Sequence, residues 1–346
     1  MKQLKMLLLA SMVILFTACG GGSSSSVTTL DSTPSTPTVN DGTGVMSLSI
    51  SDAKPRLPED PIAVYITVIG IEFNYDGKWT DVNNFEFEND EINKNEFESQ
   101  TFDLLELQNG NSLHLGDIVL PVGHYTEIRF KLDAPEKNEK IKSNPGCYIV
   151  FPANLEHDTE LSELLFFPSG GSSGFKGKGD FDITANAKIE IMADFNVEKS
   201  IVVTGNEKYL LKPVIRLVVT ELSGTIRGTV VDIENYPKED NDLVVYAYEY
   251  DAGIEIIDEV IGDNEGILFP NAITSADVNM TDGNFTLPFL REGKYDLLTV
   301  NTKTIDDVIE VSVVDEEEKD IDGNDIIVSK AKETLVDVNT SDYPTP

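Results

Sequence analysis

The sequence predicts an all-β protein with two β-sandwich domains. Three observations carry this: repeated alternation of apolar and polar residues with period 2, turn clusters at short intervals, and very little helical periodicity. Order is expected from Val45, where Met46, Leu48 and Ile50 point one way and Ser47, Ser49 and Ser51 the other, as in a half-buried strand. The pattern returns where Thr126, Ile128, Phe130 and Leu132 oppose Glu127, Arg129 and Lys131. It returns again where Ile189, Ile191, Ala193 and Phe195 oppose Lys188, Glu190 and Asp194. Asp76-Gly77, Asn109-Gly110-Asn111 and Ser169-Gly170-Gly171 read as the turns between such strands. The best helical stretch is short, from Phe102 to Leu107. A second compositional unit begins near Ser223, where Gly224 to Asp232 starts a new alternating strand, and runs to about Val338.

Both units contain a similar phrase. Pro121-Val-Gly-His-Tyr125 and Arg291-Glu-Gly-Lys-Tyr295 each place a Gly two residues before a Tyr that opens an alternating strand. A Gly there would supply the positive φ of a tight turn. The Tyr would bury its ring and bond nearby backbone through its hydroxyl, which is the logic of a tyrosine corner.

Ahead of the β pattern, Lys2 and Lys5 precede an apolar run from Met6 to Phe16, which has the make-up of a signal peptide. That run is too short to cross a hydrocarbon core of about 30 Å as a helix. It ends in Phe16-Thr17-Ala18-Cys19, followed by Gly20. The arrangement resembles the bacterial lipoprotein signal, with Phe16 in place of the commoner Leu. The resemblance implies cleavage before Cys19, lipidation of that residue and, with Gly rather than Asp at position 20, sorting to the outer membrane. Only Cys19 and Cys147 occur, so no disulfide framework accounts for Cys19. Gly20 to Thr43 is Gly-, Ser-, Thr- and Pro-rich and reads as a flexible tether. The expected organisation is a signal peptide over 1–18, a tether over 19–43, sandwiches over 44–221 and 222–338, and a tail over 339–346.

With 61 acidic against 26 basic side chains, the formal charge is −35. Such a surface repels phosphate backbones, so nucleic acid is excluded as a partner, and membrane contact must come from the lipid anchor.

Signals for catalysis are absent. His114, His124 and His157 are the only histidines, no His-Glu-x-x-His or Gly-x-Ser-x-Gly motif occurs, and no phosphate-loop pattern fits Ser169 to Gly179. No cofactor is expected apart from calcium, which takes oxygen ligands from flexible loops. Asp320, Asp322 and Asn324 occupy the first, third and fifth places of an EF-hand-like loop, but Asp325 replaces the turn Gly and Ala331 the bidentate Glu. This run and Glu86 to Glu98 both read as solvated charge runs. Trp79, with Tyr75 beside the Asp76-Gly77 turn, is the candidate sugar platform, set against core or edge packing of the ring. Cys147, with Ile149 and Phe151 on its face, reads as a buried, inert thiol.

The first unit resembles the domain-of-unknown-function 4382 family. The matching phrases are Leu48-Ser-Ile-Ser-Asp52-Ala53, Val64-Tyr-Ile-Thr-Val68, Gly77-Lys-Trp79, Phe102-Asp-Leu-Leu105, Leu120 to Tyr125 with Ile128-Arg129, Phe167-Pro-Ser169 with Ser173-Gly174, and Tyr209 to Pro213. The insert from Asn83 to Ser99 is long for that family. The second unit resembles carboxypeptidase-regulatory-like, or prealbumin-like, sandwiches through Gly224 to Val230, Val244 to Tyr248, and Thr281 to Leu287 leading into Leu290 to Tyr295. These resemblances imply an exported module with no assigned activity followed by an accessory sandwich. The expected function is that of a lipid-anchored envelope protein, periplasmic or surface-exposed, with a non-catalytic binding or structural role and a glycan or protein partner. The alternatives are a calcium- or glycan-dependent adhesin-like module and a polysaccharide hydrolase using paired carboxylates.

Overall fold

The computed structural model describes residues 42–53, 61–75, 77–85, 95–133, 135, 146–153, 160–167, 174–204, 208–238, 241–250, 269–305, 308–317 and 319–339. Cys19, residues 20–41 of the tether, Asp76, His157, the middle of the acidic insert and Ser169 to Gly171 lie outside them. The first β-region contains β1 (Thr43–Ala53), β2 (Ala63–Tyr75), β3 (Lys78–Asp81), β4 (Gln100–Asp103), β5 (Leu113–Pro121), β6 (Gly123–Leu132), β7 (Tyr148–Phe151), β8 (Leu161–Phe166), β9 (Phe175–Ile183) and β10 (Lys188–Asn196). A single helical turn, α1 (Val197–Ser200), then leads to β11 (Ile201–Val203), β12 (Tyr209–Leu211) and β13 (Ile215–Val219). The second region contains β14 (Ser223–Val231), β15 (Asp242–Glu249), β16 (Thr274–Asp277), β17 (Asn284–Arg291), β18 (Gly293–Ile305), β19 (Val308–Glu317), β20 (Ile326–Val328) and β21 (Glu333–Asn339).

The first region is one thirteen-stranded hydrogen-bonded network in the order β11-β12-β8-β7-β2-β6-β9-β13-β10-β1-β5, with β3 and β4 also paired to β2. Strands from across that order contribute to one core, including Leu48, Ile66, Phe130, Phe151, Ile191 and Leu211. A sheet this wide therefore curls on itself to enclose its apolar face. Each fully buried Leu, Ile or Phe in such a core contributes about 1.5–3 kcal/mol relative to exposure.

Burial differs from the sequence expectation on β1, β6 and β10, the last at Asp194, which is buried at 8% exposure. β1 lies between β10 and β5, and Ser47 and Ser51 on its polar side are buried as well. Thr126 is exposed instead of facing the core, because a register shift between Tyr125 and Glu127 turns it out while Tyr125 and Ile128 both stay in. The Phe102 to Leu107 stretch completes β4 and then makes a short 3₁₀ turn, capped by the Asp103 carboxylate accepting from the Leu105 N–H. The flanks of the acidic insert are pinned: buried Asn95 donates to the Val82 and Val119 carbonyls and accepts from the Val119 N–H.

The second region is a two-layer sandwich. A three-stranded sheet, β17-β14-β21, faces β16-β15-β18-β19, with β20 paired to β18. Its central core includes Ile226, Val245, Leu287, Leu297 and Val336. The larger sheet also buries its other face, where Val244, Tyr246, Tyr248, Leu298 and Val300 pack with Phe269 and Ala272.

Both cores belong to one compact unit, Pro37–Pro346, and α1 joins them. Glu198, buried at 6% exposure, accepts hydrogen bonds from the Tyr246 hydroxyl at 2.7 Å and the Ser275 hydroxyl at 3.2 Å. Lys199 donates to the Pro270 carbonyl at 2.8 Å and to the Ala272 carbonyl. Asn196 and Asp52 fix the turn by accepting from the Lys199 and Val197 N–H groups. No helix among the described residues is long and apolar enough to cross a membrane.

Both tyrosine corners form. The Tyr125 hydroxyl donates to the Pro121 carbonyl at 2.8 Å, and the Tyr295 hydroxyl to the Arg291 carbonyl at 3.0 Å. Burial raises the pKa of both phenols. The glycines, however, do not take positive φ. The Tyr ring folds back over each one, within 3.9 Å of a Cβ at Gly123 and 3.7 Å of one at Gly293.

Candidate functional site

The outer face of the first sheet carries a ladder of charges fixed by strand register. Asp81, Glu72, Arg129 and Lys176 form one row across β3, β2, β6 and β9. Glu127, Lys178, Arg216 and Asp194 form the next across β6, β9, β13 and β10. Cross-strand partners share a face, so these side chains meet. Glu72 accepts from Arg129 at 3.0 Å and Lys131 at 2.6 Å. Burial alone would raise the Glu72 carboxyl, but these two cations hold it below the usual carboxylate range. Lys176 pairs with Glu127 at 2.9 Å and Arg216 with Asp194 at 2.6 Å.

Trp79 joins this face, half-buried, with the Arg129 Cζ 3.9 Å from its ring centroid and the Lys176 Nζ 5.4 Å away. Tyr75 does not share it. The hairpin pairs Tyr75 with Lys78 and Asn74 with Trp79, so successive residues alternate sides and the two rings project from opposite faces. Tyr75 packs edge-on against Phe73 and Phe85 instead, with centroids at 6.5 and 5.9 Å. The two candidate platform residues are not brought together.

Asp320, Asp322 and Asn324 lie in the loop between β19 and β20. One Asp320 oxygen accepts from the Asp322 N–H at 3.0 Å and from the Asn324 N–H at 2.8 Å, forming an Asx-type turn, while Gly323 takes φ +78°. The next acid, Asp325, pairs with Lys319 and Lys294, and these two bonds lower its carboxyl. Among the described residues, no group of three or more His, Cys, Asp or Glu side chains is set to hold a metal ion. Asp315, on β19 ahead of this loop, is buried at 4% exposure. Cys147 is fully buried immediately before β7, and burial pushes its thiol up to about 12.

Sequence reading missed a cleft of about 510 Å³ where the two β-regions meet. The first region supplies Lys178, Asp180 and Arg216 to it, with Glu127 and Thr126; the second supplies Glu249, Arg291 and Tyr295, with Ile273. Gly179 lies in the wall. A Cβ there would come within 2.1 Å of the Leu217 carbonyl oxygen, so only glycine lets β13 approach β9 this closely. No local signal in the sequence marks these residues as neighbours.

No curated protein matches the chain. Among solved structures, the Bacillus anthracis TIE protein is similar at 9% identity and a TM-score of 0.15, over 86% of this chain. The chain spans only 34% of that protein's chain. The shaft pilin SpaA of Lactobacillus rhamnosus GG is similar at 10% identity and 0.20, over 88% of this chain and 100% of its own. A major pilin of Streptococcus pyogenes follows at 8% and 0.16, over 87% and 98%. Superpositions at these TM-scores speak to neither fold detail nor function. The family comparison is specific: residues 43–213, from the start of β1 to just before β13, match the model of the domain of unknown function DUF4382.

Proposed function

We propose that the protein is a lipid-anchored component of the cell envelope, held to the outer membrane through Cys19, with a non-catalytic binding or structural role. The carrying observation is the order of segments: an apolar run ending in Phe16-Thr17-Ala18-Cys19, a Gly/Ser/Thr/Pro stretch, then β structure from Thr43. Two β-regions joined through Glu198 and Lys199 suit such a role, because one tether then presents a single composite surface. The second β-region, with its two facing sheets, is proposed to be a sandwich of the carboxypeptidase-regulatory-like kind.

The test is fractionation of producing cells. The wild-type chain should sediment with membranes and carry the added mass of acyl chains, and Cys19→Ala should appear in the soluble fraction. A Cys19→Ala protein that stays in the membrane pellet with unchanged mass overturns the anchor.

A further inference from the structure

We infer that the cleft between the two β-regions binds the carboxylate of an acidic saccharide. In a chain with 61 acidic and 26 basic side chains, this cleft holds as many bases as acids: Lys178, Arg216 and Arg291 against Glu127, Asp180 and Glu249. Three of those six have partners elsewhere. Glu127 is held by Lys176 at 2.9 Å, Asp180 Oδ1 lies 3.7 Å from His124 Nε2, and Arg216 gives Nε and Nη2 to Asp194 at 3.2 and 2.6 Å, leaving Nη1 uncommitted. Lys178 and Arg291 form no ion pair among the described residues. Two cations thus remain in one cleft with no ion-pair partner among the described residues, while Asp180 and Glu249 supply hydrogen-bond acceptors in the same walls.

That combination selects among ligands. A neutral sugar would satisfy the acceptors but leave both cations without a counter-ion. A polyphosphate would satisfy the cations but meet repulsion from Asp180 and Glu249. A uronate-type sugar carries the anion for Lys178 and Arg291 and hydroxyl donors for the two carboxylates. The volume falls within the range of about 300 to 1,000 Å³ typical of small-molecule clefts, which favour junctions between domains. The cations also stand on rigid backbone. Lys178 is set by its register with Arg216, and the Arg291 carbonyl is held by the Tyr295 hydroxyl at 3.0 Å. The inference rests on the non-catalytic binding reading and is independent of Cys19.

Calorimetric titration of the full chain in detergent at low salt tests it, with a galacturonate trisaccharide, an uncharged galactose trisaccharide and tripolyphosphate as probes. The galacturonate should bind best. Lys178→Gln and Arg291→Gln should each weaken it by about tenfold or more without moving the melting temperature. Lys188→Gln, which removes a lysine paired with Asp117 at 3.0 Å outside the cleft, should leave the affinity unchanged. Equal or tighter binding of either comparator, unchanged affinity in both cleft variants, or no galacturonate binding at about millimolar concentration would overturn the site. Release of shorter uronates during the titration would overturn the non-catalytic reading while leaving the cleft as the binding site.

Discussion

The two β-regions solve the burial problem differently. The first curls one continuous strand network round its own core, so its apolar face is covered by its own strands. The second stacks two sheets and still has a second apolar face, set by Tyr246, Tyr248 and Leu298, which is closed by Phe269 and Ala272 with α1 bonded alongside. A one-way dependence is the expectation: the first region's core holds no residue of the second, whereas the second region's outer face, closed by its own Phe269 and Ala272, is bonded to the first region's α1.

Core truncation tests this with the largest effect. Phe130→Ala removes a side chain buried at 1% exposure in the first core and should cost about 3–5 kcal/mol. Calorimetry should show both regions melting together at a lower temperature. Leu287→Ala, buried at 0% in the second core, should cost about 2–5 kcal/mol and yield an early transition of the second region alone. If Phe130→Ala leaves the second region's melting unchanged, the dependence is absent.

A smaller effect is expected at the junction. Glu198→Ala strips the acceptor from Tyr246 and Ser275 and should lower the second region's stability by about 1.5–3 kcal/mol. Calorimetry should show that transition moving down while the first region's stays in place.

The smallest effect separates the regions by pH. The Glu72 carboxyl, held below its ordinary value of 4.5, stabilises the first region when ionised. That contribution is present above 4.5 and is lost as pH falls through the lowered folded value. Glu72→Gln should therefore cost about 0.2–1 kcal/mol at neutral pH, and the difference from wild type should close in strong acid. Urea midpoints of the first region's transition at the two extremes check it; a gap that persists or widens in acid contradicts the assignment.

Much of the architecture was legible in the sequence because it is written locally. The strand alternation, the Asn109-Gly110 turn and both Tyr corners depend on residues within a few positions of one another. The buried serines of β1 were not legible, because their burial comes from β10 and β5 on either side. The inversion of Thr126 required a register shift that no residue type announces. The separation of Trp79 from Tyr75 could have been read: a two-residue turn at Asp76-Gly77 pairs Tyr75 with Lys78, and parity then sends Trp79 to the other side. The cleft could not, since Lys178, Arg216 and Arg291 are separated by long stretches of chain and meet only through the β9–β13 register and the junction of the two regions.

Cys147 gives the molecule an internal clock. Its thiol is sealed at 0% exposure and its ionisation is pushed up to about 12, so an alkylating reagent at neutral pH can reach it only when the first region opens. The rate of that labelling counts opening events one residue away from β7, without any probe having to be engineered into the chain.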